Sequence, residues 1–298
     1  MYKLALLALV ACRYQDPVAE QPDASAPPDE SGPVDPPEML GRFGAPQLVA
    51  ELSTTDSDGT AEMTADGLEI FFQSIRPGGL GSNDIWTARR TSTTDPWSTP
   101  VLVTELSSAT RDVFPHISLD GLRMYLVSSR SGTSGADIYI TARATRSATW
   151  APPTPVAELN TVANEDRVSV TADELLLVLD SERENAGRDL YFSTRSSTSM
   201  PWSAPVAIAE LNTSEFDAQA IISADGLAIY FAHGPTVGDR DLFVATRASR
   251  SAPFGPPTLL DEASSTTEDN DPWISADQRT LLFSSLRSGN RDIYIATR

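Results

Sequence analysis

One unit of just over fifty residues, met five times, constrains this chain more than anything else in it. An aspartate recurs in matching context at Thr64-Ala65-Asp66-Gly67, Ser118-Leu119-Asp120-Gly121, Thr171-Ala172-Asp173-Glu174, Ser223-Ala224-Asp225-Gly226 and Ser275-Ala276-Asp277-Gln278. The intervals are 54, 53, 52 and 52 residues. An aromatic opens each unit at the same intervals, at Phe43, Trp97, Trp150, Trp202 and Phe254. A third marker closes it: Asp84-Ile85-Trp86, Asp137-Ile138-Tyr139, Asp189-Leu190-Tyr191, Asp241-Leu242-Phe243 and Asp292-Ile293-Tyr294. Three separate markers holding one period are the signature of a repeat architecture.

Each unit reads as four short strands. The first follows the opening aromatic, and the second ends at the Asp-Gly turn, where glycine supplies the positive φ of a tight turn. A mostly apolar run comes next, as in Leu122 to Val127, and its two apolar faces call for cover on both sides. The Asp-Ile-Tyr element is the fourth. One such sheet cannot bury both faces alone, whereas radial stacking covers them. The expected fold is therefore all-β: a five-bladed β-propeller with four-stranded blades over residues 42–298. Because the unit opens on one strand and the chain stops after another, residues 43–52 are expected to pair with residues 292–298 and complete the last blade.

Residues 1–11 read as a secretion signal, with a charge at Lys3 and an apolar run too short to span a bilayer. Leu9-Val10-Ala11-Cys12 resembles the bacterial lipobox, which implies that Cys12, the only cysteine of the chain, is lipidated. Residues 12–41 are acidic and proline-rich, a composition that cannot repay its ordering by burial and reads as a tether. These features place the chain outside the cytoplasm, anchored to a bacterial membrane, with the outer membrane facing periplasm or surface expected. The net charge of -19 repels nucleic acid and anionic lipid, so membrane contact is expected only through the anchor.

Ser118-x-Asp120-Gly121, the apolar strand after it, Ser128-Ser129-Arg130 and Asp137-Ile138-Tyr139, with counterparts in other units, resemble the WD-like propeller repeats of the Pro-Asp, TolB type. The resemblance runs from Phe43 to Arg298 and implies a noncatalytic binding module. The eponymous proline is replaced by Ala65, Leu119, Ala172, Ala224 and Ala276, which loosens any transfer of partners.

The repeated charges are read first as structure. Arg76, Arg130, Arg183 and Arg287 stand ten residues after the turn aspartates, with Pro235 at that place in the fourth unit. Ion pairs between these arginines and Asp84, Asp137, Asp189 and Asp292 are the expected hairpin clasp, with Asp241 the fifth member of the carboxylate series. A further series, Asp58, Asp112, Glu165, Asp217 and Asp269, precedes the turns. It either caps its own loops or gathers at the axis, where Asp112, Asp217 and Asp269 are the candidates for an axial calcium. No other cofactor is expected. With two histidines, His116 and His233, and no nucleophile elbow, nothing forms a catalytic motif. The expected function is a noncatalytic envelope lipoprotein whose propeller binds a protein or glycan; the alternative is an extracytoplasmic glycoside hydrolase with axial carboxylates.

Overall fold

The computed structural model describes residues 40–130, 135–184, 187–235 and 240–298. The signal segment, Cys12 and nearly all of the tether lie outside the described residues. Among those described there is no helix.

A two-residue strand, β1 (Gln47–Leu48), precedes five blades. Blade 1 holds β2 (Asp58–Met63), β3 (Glu69–Ser74), β4 (Asp84–Arg89) and β5 (Val101–Leu102). Blade 2 holds β6 (Asp112–Ile117), β7 (Arg123–Ser128), β8 (Asp137–Ala142) and β9 (Thr154–Pro155). Blade 3 holds β10 (Glu165–Val170), β11 (Leu176–Ser181), β12 (Asp189–Thr194) and β13 (Val206–Ala207). Blade 4 holds β14 (Phe216–Ile222), β15 (Ala228–Gly234), β16 (Asp241–Thr246) and β17 (Thr258–Leu259). Blade 5 holds β18 (Asp269–Ile274), β19 (Thr280–Ser285) and β20 (Asp292–Thr297), and its outer strand is β1. Every sheet is antiparallel, and the first strands β2, β6, β10, β14 and β18 pack against one another to close a ring around the axis.

The latch therefore forms as the sequence predicts. Gln47 pairs with Ile295 and Leu48 with Tyr294. Gly44 N–H donates to Thr297 O (2.8 Å) and Val49 N–H to Ile293 O (2.9 Å), so the joint is a continuation of the blade.

The frame is clasped by the same devices in every blade. At each turn a Thr or Ser hydroxyl donates to the aspartate, as Ser118 does to Asp120 (2.6 Å), and the same carboxylate takes the N–H two residues on. The residue after that aspartate is left-handed throughout; Gly67, Gly121 and Gly226 adopt this freely, whereas Glu174 (φ 54°) and Gln278 (φ 58°) carry strain there. Five arginines directly after the third strands reach back to this residue's carbonyl: Arg90, Arg143, Arg195, Arg247 and Arg298, at 2.7–2.8 Å. Each also stacks on an opening aromatic, Trp97, Trp150, Trp202, Phe254 and Phe43, at 4.2–4.5 Å. The last of these pairs, Arg298 on Phe43, belongs to the latch.

The other arginine series pairs differently from expectation. Arg76 bonds Asp58 (2.6 Å), Arg130 bonds Asp112 (2.7 Å), Arg183 approaches Glu165 (3.4 Å) and Arg287 bonds Asp269 (2.7 Å). The partner thus sits on the first strand of the blade, not at the start of the third. Asp84 instead accepts Leu80 N–H (2.8 Å) and Gly81 N–H (3.0 Å), and Asp292 accepts the Ser288 hydroxyl. Asp137, Asp189 and Asp241 open the third strands of their blades. In blade 4 His233 replaces the arginine, with Nδ1 2.7 Å from Asp217.

Candidate functional site

The five first-strand carboxylates do not gather. Asp112 is held by the Ser108 amide and hydroxyl, Ser128 and Arg130; Asp217 by Thr213 and His233; Asp269 by Ser265 and Arg287. Each caps its own blade, and among the described residues no group of three or more acidic, His or Cys side chains is placed to hold a metal ion.

What meets at the axis comes from the next few residues of the same strands. There the ladder of each first strand slips by a bulge, and Thr60, Phe114, Gln219 and Asp271 are driven to φ of 50–58°. Bulges re-aim side chains, and non-glycine residues persist in this region only where their surroundings hold them. Arg167 of blade 3, fully buried, donates from Nη2 to Glu62 Oε1 of blade 1 (2.8 Å). Blades 1 and 3 are not neighbours, so this pair spans the ring. His116 completes a septum: its Nε2 accepts Val170 N–H (3.0 Å), which puts the ring proton on Nδ1, 2.9 Å from Glu62 Oε2.

On the turn side of the septum lies a small well of about 50 Å³ with lining from all five blades, including Met63, Leu119, Val170, Ile222 and Trp273. On the other side, where the hairpin loops crown the channel, the lining is charged and repeats only in part: Arg188, Arg240 and Arg291 share one position in blades 3 to 5, which Asn83 and Ala136 hold in blades 1 and 2. Asp166 is paired with Arg111 (3.5 Å) and with Arg188. Asp271 accepts the Ser284 hydroxyl (2.9 Å) and approaches Arg291 (3.4 Å), which also binds Glu268 (2.5 Å). Arg240 stacks on Phe216 at 4.0 Å. Asp180 is fully buried, accepts Gln219 N–H (3.2 Å), and is pushed up to about 7 by burial first and the Asp166 charge second, against the pull of Arg188.

Sequence reasoning placed the acidic series and both histidines, but not Asp166, Arg167, Asp180 or Asp271. In other blades the position of Asp166 holds Gly59, Val113 or Ala218, that of Arg167 and Asp271 holds Thr60, Phe114 or Gln219, and that of Asp180 holds Val127, so no periodic signal marks them.

No protein-family model matches the chain, and no curated protein matches its sequence. Solved structures share its fold. The catalytic domain of a Coprinopsis cinerea GH62 α-L-arabinofuranosidase is 16% identical over 86% of this chain and 96% of its own, with a TM-score of 0.57. A GH62 hydrolase in complex with xylotriose is 11% identical over 86% and 97%, at 0.56. TolB from Acinetobacter baumannii is 18% identical over 83% of this chain, at 0.49, and this chain covers 56% of that protein. At such identities the likeness to the arabinofuranosidases is one of fold alone.

Proposed function

We propose that the chain is an extracytoplasmic binding module, lipid-anchored through Cys12 to a bacterial outer membrane, whose propeller captures a protein or glycan of the cell envelope. The observation that supports it is the split between frame and axis. Groups that repeat in every blade are consumed in holding the blades, whereas no group at the loop-side mouth repeats in all five and one, Asp271, is strained, as binding positions on a regular scaffold tend to be. The mouth carboxylates are clamped by arginines, and the one with a raised pKa is fully buried, which favours recognition over proton transfer to a bound sugar.

The test is recovery of crosslinked partner from cells expressing the full chain with Arg111→Ala and Arg291→Ala, whose side chains are 35% and 24% exposed at the mouth. Recovery should fall against wild type; unchanged recovery removes this reading. Cys12→Ser should move the protein out of the membrane fraction, and retention there would refute the anchor. A second reading, glycoside hydrolysis, is favoured by the asymmetric Asp166–Asp180 pair. Hydrolysis of p-nitrophenyl α-L-arabinofuranoside that Asp180→Asn abolishes would establish it, and the absence of any turnover would dismiss that substrate class.

A further inference from the structure

We infer that the groove between blades 1 and 2 at the turn end of the propeller is a docking site for an acidic peptide that carries apolar side chains beside its carboxylates. This rests on the reading of the propeller as a binding module and names a surface separate from the loop-side mouth.

The groove opens where a contact made at two other joints is absent. At the joints of blades 2 and 3 and of blades 3 and 4, Glu158 accepts Trp202 N–H (3.3 Å) and Glu210 accepts Phe254 N–H (2.9 Å), tying the outer part of one blade to the next, whereas the joint of blades 4 and 5 holds a comparable space of about 280 Å³ beside Phe43, Glu262 and Arg298. At the joint of blades 1 and 2 the equivalent Glu105 instead lines an open space of about 330 Å³. Its floor is apolar, with Phe71 edge-on to Trp150 at 5.9 Å and with Leu102 and Val103 beside them. Val101, 61% exposed, stands at its lip. A space of that size, apolar below and polar at the edge, is within the range of ligand-binding clefts.

Its wall carries one guanidinium found at no other joint, that of Arg89, beside Arg143 of the repeated series. Glu69 and Arg89 occupy positions filled by Arg123, Leu176, Ala228 and Thr280, and by Ala142, Thr194, Thr246 and Thr297, in the other blades. Glu69, almost fully buried, takes Arg89 through Nε and Nη2 (3.0 and 2.6 Å) and Arg143 through Nη2 (2.7 Å). Two arginines are thereby held by one carboxylate, with Arg89 still 56% exposed. A second open space shares Glu69, Arg89 and Ser147 with the groove and adds Arg90, Arg146 and Asp66. Arg90 is half-buried and has no carboxylate within ion-pairing distance among the described residues; burial lowers its pKa, against the pull of the more distant Asp95 and Glu51. Across both spaces Arg89, Arg90, Arg143 and Arg146 outnumber Asp66, Glu69 and Glu105, in a chain whose net charge is -19. The lining thus holds one guanidinium more than its carboxylates balance, beside an apolar floor, so the matching occupant presents carboxylates and apolar side chains together. An extended peptide does this, because alternate residues face opposite ways along a strand.

The probe is a fluorescein-labelled Gly-Asp-Leu-Asp-Phe-Asp-Gly peptide titrated with the full chain by fluorescence anisotropy at low salt. Saturable binding is expected, weakened about tenfold by Arg89→Ala and similarly by Val101→Asp, both at exposed positions where folding is not at stake. A peptide with Lys for Asp should not bind, and one with Gly for Leu and Phe should bind at least about tenfold more weakly. The inference is overturned by no binding up to about 1 mM, by equal binding of the lysine peptide, by equal binding of the glycine peptide, which would mark a bare anion site, or by indifference to both variants. Partner recovery that still depends on Arg111 and Arg291 would then leave the binding-module reading standing without this groove.

Discussion

The frame and the axis of this propeller are built from the same strands yet obey different rules. In the frame, Arg90, Arg143, Arg195, Arg247 and Arg298 each stack on an aromatic and bond a turn carbonyl, with distances that barely vary. At the axis, the residues equivalent to Arg167 are Thr60, Phe114, Gln219 and Asp271; the N–H groups of Thr60, Phe114 and Gln219 reach one position of the preceding blade, but the side chains met there, Ser284, Gln73 and Asp180, are different in each. The lesson is that repetition marks what every blade needs, and departure from it marks what the molecule as a whole needs once.

The sharpest way to break the comparison is to remove a frame aromatic. Trp202→Ala takes a buried indole from under Arg195 and should cost about 3–5 kcal/mol in denaturant unfolding. Trp150→Ala should cost a similar amount, and a large difference between the two would show that the blades are not equivalent. At the axis, Glu62→Gln leaves Arg167 buried without its carboxylate and should cost about 3–5 kcal/mol, most of it recovered in the Glu62→Gln, Arg167→Met double variant. A double variant as unstable as the single one would make the septum a packing element and not an ion pair.

A gentler probe is pH. Folded Asp180 keeps its proton up to about pH 7, whereas an unfolded aspartate releases it near pH 4, so between those values the folded state binds more protons. Stability contributed by this group is full below about pH 4 and is lost as pH rises towards 7. Asp180→Asn should flatten that stretch of the stability profile and raise stability at alkaline pH; an unchanged profile would mean that another group titrates. The smallest effect is expected at the frame's exposed rim. Arg146, hydrogen-bonded to Asp66, holds that carboxyl well below the usual carboxylate range, yet both side chains are well exposed. Arg146→Ala should therefore cost less than about 1 kcal/mol in a thermal melt, with Asp66 titrating closer to an ordinary aspartate.

Much of the frame was legible in the sequence because its markers are periodic. Turn aspartates, opening aromatics and the latch all follow from one interval. The arginine clasp was misread for a geometric reason: Arg76 is close to Asp84 along the chain, but the sheet brings it to Asp58 of the neighbouring strand. The Arg90 series was readable in principle, since an arginine follows each third-strand aspartate by six residues, as Arg143 does Asp137 and Arg298 does Asp292. The axis was not readable, because its residues do not repeat and the bulges that aim them break the alternation on which strand patterns depend.

The latch also sets a timetable. Leu48 pairs with Tyr294, which lies 246 positions further along, so a strand made early waits for a partner made much later. At about 5–20 residues per second the wait is on the order of tens of seconds. Throughout it blade 5 has no outer strand and the ring no closure, and the early segment travels as an unpaired edge. Two residues of strand behind Pro46 offer little for a stranger chain to pair with, so the brevity of β1 doubles as protection against sticking during the nascent chain's passage.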